Sequence, residues 1–154
     1  MRGWRREFSQ ASPDHRGTPD LPGRVVTLRE DENSQCEGIA YQIETSSASQ
    51  IVEYLDERES GGYSRRYVDL TLNSNGSSLN TKVQALTYIA LPENPHACES
   101  VSVEELALLI AARQGPSGAN TDYVLNLAQA LLANSISDPV VERLAAQLQK
   151  TSQE

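Results

Sequence analysis

Apolar and polar positions fall into distinct regimes along this chain, and each predicts a different kind of structure. Residues 1–23 show no sustained period, and Pro13, Gly17, Pro19, Pro22 and Gly23 punctuate them so densely that an irregular segment is expected. Two short β-rich runs follow, Arg24–Leu28 and Glu37–Ile43, with the acidic, turn-like Glu30–Ser34 between them, the pattern of a hairpin with a long loop. Ser46–Glu59 carries Ile51, Val52 and Leu55 at helical spacing and meets Gly61-Gly62, so it reads as a helix that stops there. Tyr67–Leu72 alternates as a strand, Asn73–Asn80 is a polar, turn-rich connector, and Val83–Ala90 is a second strand.

The last third turns helical. Ser102 followed by Glu105 forms a capping box opening Val103–Ala112, because hydroxyl and carboxylate each satisfy an orphan amide of the first turn. Gly115–Gly118 breaks that helix, and Asn120 or Thr121 is expected to cap the next, Tyr123–Ala133, whose Val124, Leu127, Ala128 and Leu131 share one face. Asp138 and Pro139 open a final helix as N-cap and first residue. This order predicts an α+β domain with a mostly antiparallel sheet covered on one side by helices; a single βαβ unit is the alternative topology.

At 154 residues the chain has the length of one ordinary domain, and 38% apolar content is enough to build a core without covalent staples. Thirteen basic residues against twenty-one acidic ones give a net charge of −8, which argues against a general nucleic-acid or anionic-membrane binder. The charge is uneven: residues 1–29 hold six Arg against three acids, whereas 93–154 hold eight acids against three bases, so a small anionic ligand can still meet a basic patch. Cys36 and Cys98 are too few for a disulfide framework and lie in no zinc-ligand spacing, so neither a metal nor an oxidising compartment is expected. The longest apolar run, Leu106–Ala112, is far short of the roughly 20 residues that span a bilayer. Met1–Arg16 is Arg-rich, but it has no apolar stretch behind it and contains Glu7 and Asp14, so it resembles no secretory signal. A cytoplasmic protein is the expectation.

Glu59 is the most informative polar position. Ile51, Leu55 and Glu59 fall at i, i+4 and i+8, so the carboxylate continues the apolar stripe of the predicted helix, while Glu53 and Glu57 lie on the wet side. Partial burial and the negative end of a helix dipole both favour a carboxylate that can take up and return a proton, which general acid–base work requires. The plainer alternative is a frayed helix end with the side chain in water. His15 and Arg16, with Arg24 nearby, either line an anion pocket or brace the edge of the sheet, and His96 reads as a surface residue. Gly115-Pro-Ser-Gly118 before a helix either binds an anion through its amides or simply links two helices. Ser117 lacks the glycine spacing of a nucleophile elbow and follows a helix rather than a strand, so a Ser117, His15, Asp14 triad is not expected. Tyr63, Tyr67, Tyr88 and Tyr123 can pack a ring and still present a hydroxyl.

Taken together, Ser12-Pro-Asp-His-Arg-Gly17, Pro22-Gly-Arg-Val-Val-Thr-Leu28, Gly38-Ile-Ala-Tyr41, Tyr54-Leu-Asp-Glu-Arg-Glu59, Gly61-Gly-Tyr63 and Gly115-Pro-Ser-Gly-Ala-Asn-Thr-Asp-Tyr123 resemble the ChaC family of glutathione-specific γ-glutamylcyclotransferases, in order from about Trp4 to at least Ala133. The resemblance implies a small β-barrel flanked by helices over 1–154, cytosolic and without metal or organic cofactor, that cleaves glutathione into 5-oxoproline and cysteinylglycine. It also implies the catalytic residue: the carboxylate ending the family's Leu-x-x-Arg-Glu motif is here Glu59. Arg58, turned about 100° away on a helix, is not expected to hold Glu59 ionised. Arg24 and Tyr123 are the candidate substrate contacts. One departure stands out. Family members begin with a strand leading into a Tyr-Gly-Ser-Leu loop that cradles the γ-glutamyl group, and no residue before Trp4 matches it, so an N-terminally truncated barrel missing its first strand is expected. A fold relative or binding subunit that lost turnover with that loop is the alternative reading.

Overall fold

The computed structural model describes residues 1–72 and 81–151; the expected connector Asn73–Asn80 lies outside the described residues. Among the described residues four helices and six strands follow in the order β1 (Arg2–Ser12), β2 (Gly23–Gln35), α1 (Thr45–Arg58), β3 (Tyr63–Leu72), β4 (Thr81–Ala90), α2 (Val103–Ala111), β5 (Gln114–Gly115), β6 (Gly118–Ala119), α3 (Asn120–Ala133) and α4 (Pro139–Thr151). The fold class is α+β. The chain forms two compact units: Met1–Arg5 with Leu28–Pro95, and Arg6–Thr27 with the chain from His96 onward. Strands β1 and β2 pair with each other and contribute to both.

In the first unit β3 and β4 form an antiparallel hairpin in continuous register from Tyr63↔Ala90 to Leu72↔Thr81. Val68, Ile89 and Ala90 are its buried residues. Helix α1 matches its predicted span to within a residue at each end, and Gly62, at φ +102°, helps to turn the chain back into β3. No residue of α1 is fully buried, and Ile51, Val52 and Leu55 are only half-covered. Side chains therefore have to supply much of what holds its end.

The helical part of the second unit has a continuous apolar core of Phe8, Leu106, Ala107, Ile110, Val124, Leu131, Val141, Leu144 and Leu148. The predicted capping box opens α2: the Ser102 hydroxyl accepts from the Glu105 amide, and the Glu105 carboxylate accepts from the Ser102 amide. Asp138 caps α4 as expected, accepting from the Val141 amide at 3.2 Å through Oδ1. Its Oδ2 lies 2.5 Å from Arg6 Nη1, and both side chains are nearly buried, 12% and 14% exposed, so this ion pair ties β1 to the start of α4.

Three expectations are corrected. Residues 1–23 are not irregular throughout, because the dense Pro and Gly punctuation begins only at Pro13, while Arg2–Ser12 before it, with the lone Gly3, is a strand. β1 has partners in more than β2: the Cys98 amide donates to the Ser9 carbonyl, the Ala11 amide to the His96 carbonyl, and Gln10 bridges Ala97. The predicted turn Glu30–Ser34 is continuous strand within β2, since β1 offers a ladder and Arg5 Nε sits 3.6 Å from Asp31 Oδ2. The Ser34 hydroxyl, the Asn33 amide and the charge of Arg5 hold the Asp31 carboxyl below its ordinary value. Conversely, the expected strand Glu37–Ile43 has no regular structure, and Ile39, Tyr41 and Ile43 are 52%, 84% and 41% exposed. Its β-rich composition finds no ladder among the described residues.

The expected barrel is not formed either: the described strands make three two-stranded sheets, β1-β2, β3-β4 and β5-β6. Closing a barrel requires ladders on both edges of each strand. Between β2 and β4 a side chain intervenes instead, the Arg29 guanidinium donating to the Ala90 carbonyl.

Phe8→Ala tests the position of β1 directly. Phe8 is 4% exposed, and its truncation is expected to cost about 3–5 kcal/mol in urea unfolding, whereas an exposed, irregular N-terminus would lose no more than about 0.5 kcal/mol.

Candidate active site

Glu59 is the residue at which α1 ends. Its backbone, at φ −90° and ψ 10°, leaves the helix while its amide still donates to the Leu55 carbonyl at 2.9 Å and its carbonyl accepts from the Tyr63 amide at 3.2 Å. The side chain is 27% exposed, whereas Glu53 and Glu57 face water, as the helical period predicts. Arg58 reaches further than expected. Its Nε lies 3.5 Å from Glu59 Oε1, because the cap residue has left helical geometry and the long, 63% exposed Arg58 side chain curls back along it. An ion pair this open is a weak restraint.

One turn earlier, Asp56 bridges α1 to the hairpin. Tyr88 donates its hydroxyl to Asp56 Oδ1 at 2.5 Å, and Arg65 Nη1 lies 3.1 Å from Asp56 Oδ2. Arg65 and Tyr88 are direct cross-strand partners on β3 and β4, so both oxygens of one carboxylate grip a single rung of the hairpin. Tyr88 is pushed up to about 12, first by desolvation, then by its hydrogen bond to Asp56 and the charges of Asp56 and Glu59; Arg65 acts in the opposite direction. The charge of Glu59 is thus felt at this hydroxyl. Sequence reading found Tyr88 only as one of several tyrosines and missed Asp56 and Arg65. The available signal was the i, i+3 spacing of Asp56 and Glu59.

Arg24 and Tyr123 belong to the second unit, where three of the family-like motifs converge. Asn120, fully buried, accepts from the Arg24 amide through Oδ1 at 2.6 Å and donates through Nδ2 to the Arg24 carbonyl at 2.8 Å, extending β2 as a strand partner would. It is therefore no helix cap: Ala119 occupies that position without a side-chain bond, and Asn120 is the first residue of α3. The Tyr123 hydroxyl accepts from the Val26 amide at 3.2 Å, and the Arg16 guanidinium lies 5.7 Å from the Tyr123 ring centroid while its Nη1 donates to the Ala119 carbonyl at 3.3 Å. Arg24 Nη1 donates to the Glu99 carbonyl at 3.3 Å. Glycines allow the close approach: a Cβ on Gly17 would fall 2.1 Å from the Gly23 nitrogen, and one on Gly115 would fall 2.3 Å from the His15 carbonyl oxygen. Gly115–Gly118, expected as a helix break that either binds an anion through its amides or links two helices, is a small hairpin of β5 and β6 whose Ser117 amide donates to the His15 carbonyl at 3.0 Å.

The fold does bring Ser117, His15 and Asp14 together, with His15 Nδ1 3.2 Å from Ser117 Oγ. Asp14 Oδ2 is 3.8 Å from His15 Nε2, beyond a hydrogen bond, and both side chains are about two-thirds exposed (65% and 68%), so water competes for every member. Such a geometry cannot fix an imidazole for nucleophile activation. Among the described residues no three His, Cys, Asp or Glu side chains cluster as a metal site would require, and none of the helices there is long and apolar enough to cross a membrane. What the site offers chemically is one partly shielded carboxylate, Glu59, at the end of a helix whose last turn is gripped through a neighbouring acid.

Comparison with known proteins defines the class. A family model described as ChaC-like protein matches residues 1–151, and the chain belongs to this family. It is 37% identical over 152 residues to γ-glutamylcyclotransferase 2-3 of Arabidopsis thaliana, covering 96% of this chain and 76% of that protein. It is 36% identical over 155 residues to glutathione-specific γ-glutamylcyclotransferase 1 of Danio rerio, covering 98% and 78%. Among solved structures, the crystal structure of the yeast γ-glutamyl cyclotransferase specific to glutathione superposes with a TM-score of 0.83 at 28% identity, over 97% of this chain and 85% of that one.

The Tyr88 environment has its own signature. A phenol raised in the folded state keeps its full stabilising effect below the ordinary tyrosine value near 10 and loses it as pH rises towards about 12. In an ultraviolet titration a phenolate is expected to appear near pH 12 and to vanish from the curve in Tyr88→Phe; a curve near pH 12 that Tyr88→Phe leaves unchanged would contradict the assignment.

Proposed function

We propose that the chain is a lyase that cleaves glutathione into 5-oxoproline and cysteinylglycine, with Glu59 as general acid/base. The observation that carries this reading is the single partly shielded carboxylate at the C-terminus of α1, at the end of the Leu55-Asp-Glu-Arg-Glu59 motif, in a chain whose relatives are named as cyclotransferases specific for glutathione. We read residues 1–154 as one γ-glutamylcyclotransferase-like domain working in the cytoplasm, since the family match runs through both compact units.

The reaction asks little of a protein. The substrate's own α-amine attacks its γ-amide carbonyl carbon, forming the C–N bond of a five-membered lactam, and the C–N bond to the cysteinyl nitrogen then breaks. Intramolecular attack already supplies a large effective concentration when the γ-glutamyl chain is held folded back on itself. Glu59 takes the proton from the attacking amine and returns one to the departing cysteinyl nitrogen, so no net proton is gained or lost, and such a relay contributes roughly 10²–10⁴-fold. Backbone amides receive the oxyanion. Arg24 and Tyr123 are assigned to substrate contact, Arg24 the more directly: among the described residues its guanidinium donates to the Glu99 carbonyl through Nη1, which leaves donors of the fork for a carboxylate of the peptide. The Tyr123 hydroxyl also accepts from the Val26 amide, which fixes the side chain beside β2.

The test is incubation with reduced glutathione, following 5-oxoproline and cysteinylglycine by mass spectrometry. Equal amounts of the two products are expected, with Glu59→Gln slower by roughly 10²-fold or more. Unchanged turnover in Glu59→Gln would remove the residue from the mechanism. Glutathione bound without product would make the chain a binding relative.

A further inference from the structure

Helix α1 has a carboxylate to position and no buried residue with which to position it. Its stripe residues Ile51, Val52 and Leu55 are half-covered, so packing alone leaves the last turn free to fray or rotate. Two polar side-chain contacts from this turn to the hairpin meet at Asp56, three residues before Glu59 and therefore its neighbour on the helix surface. We infer that Asp56, gripped by Tyr88 and Arg65 across one rung of the β3–β4 hairpin, is the positioning residue that fixes the direction of the Glu59 carboxylate. This inference rests on the assignment of Glu59 made above.

The two arms of the grip are unequal. Arg65 and Asp56 are 44% and 43% exposed in their side chains, and an ion pair that open to water is a weak restraint. The Tyr88 hydroxyl donates to an ionised carboxylate at 2.5 Å from a partly shielded position, which is a shorter and stronger class of bond. The rung itself is rigid, because Arg65↔Tyr88 lies inside a ten-pair register. Tyr88 therefore dominates the restraint. Arg65 serves mainly to keep Asp56 turned towards it.

Rotation of a helix end displaces a terminal carboxylate by about an ångström or more, enough to cost up to roughly 10²-fold in a reaction that depends on orientation. Binding of the substrate through other groups is unaffected by that displacement. Tyr88→Phe and Asp56→Ala are thus expected to lower kcat on glutathione by roughly tenfold with KM changed less than about twofold, and the double variant to be little worse than either single one, since both remove the same restraint. Arg65→Lys, which retains a cation, is expected to recover most of what Arg65→Met loses. Glu59→Gln measured beside them separates the two assignments: if it retains full turnover, the role of Glu59 falls, whereas turnover lost in Glu59→Gln but parental in Tyr88→Phe overturns the positioning role alone.

Amide hydrogen exchange supplies a readout that needs no turnover. The Glu59 and Tyr63 amides, bonded to the Leu55 and Glu59 carbonyls, report the last turn directly. In Tyr88→Phe they are expected to exchange at least about tenfold faster, while ladder amides of β3 and β4 away from the rung keep their protection. Exchange at Glu59 and Tyr63 equal to that of the parent, or a uniform loss of protection throughout the hairpin, would overturn the inference.

Discussion

A helix can deliver a functional group only as accurately as its own end is held, and α1 is held almost without a core. None of its residues is fully buried, while α2, α3 and α4 each place two or more side chains in continuous apolar packing. A restraint comes from Asp56, whose carboxylate spans the Arg65 and Tyr88 side chains of adjacent strands. Everything proposed for Glu59 depends on that grip. The backbone assists: the Glu59 carbonyl accepts from Tyr63, so the helix end and the start of β3 are bonded through the Gly61-Gly62 turn.

The second unit solves its problem by close backbone contact. Asn120 uses its amide group as an extra strand residue against Arg24, and Gly17 and Gly115 let segments approach to distances at which a Cβ would collide with main-chain atoms. Two neighbouring segments, Ser12–Gly17 and Pro22–Arg24, and the distant Gly115–Tyr123 are brought together this way. An isolated buried amide is costly unless both its ends are satisfied, and Asn120 achieves this with one residue's backbone. The same logic applies to Arg6 and Asp138, a nearly buried pair whose acid also caps α4; losing either partner leaves the other charge poorly solvated.

What was legible in the sequence was local. The capping box at Ser102, the cap at Asp138, the helix over 46–59 with its glycine stop, and the two strands around the polar connector all follow from interactions spanning a few residues. The side on which Glu59 lies was legible for the same reason, since period alone distinguishes it from Glu53 and Glu57. What failed depended on distant partners. Arg2–Ser12 is a strand because β2 and residues 96–98 pair with it, and Glu30–Ser34 is a strand because β1 runs alongside. Glu37–Ile43 has the composition of a strand but no ladder to join among the described residues. Asn120 looked like a cap because asparagine before a helical run usually is one; its partner stands 96 residues earlier. The family resemblance points to Glu59 as the proposed carboxylate without revealing how the helix bearing it is fastened.

The proposed reaction turns on a proton carried by the Glu59 carboxylate, and chemical rescue examines that most directly. Glu59→Ala leaves room for a small acid where the side chain stood. Formate or acetate added at high concentration is predicted to restore measurable 5-oxoproline formation to Glu59→Ala in a saturable manner, with no such effect on the parent. Turnover of Glu59→Ala equal to the parent without any added carboxylate would contradict the assignment of the relay to this residue.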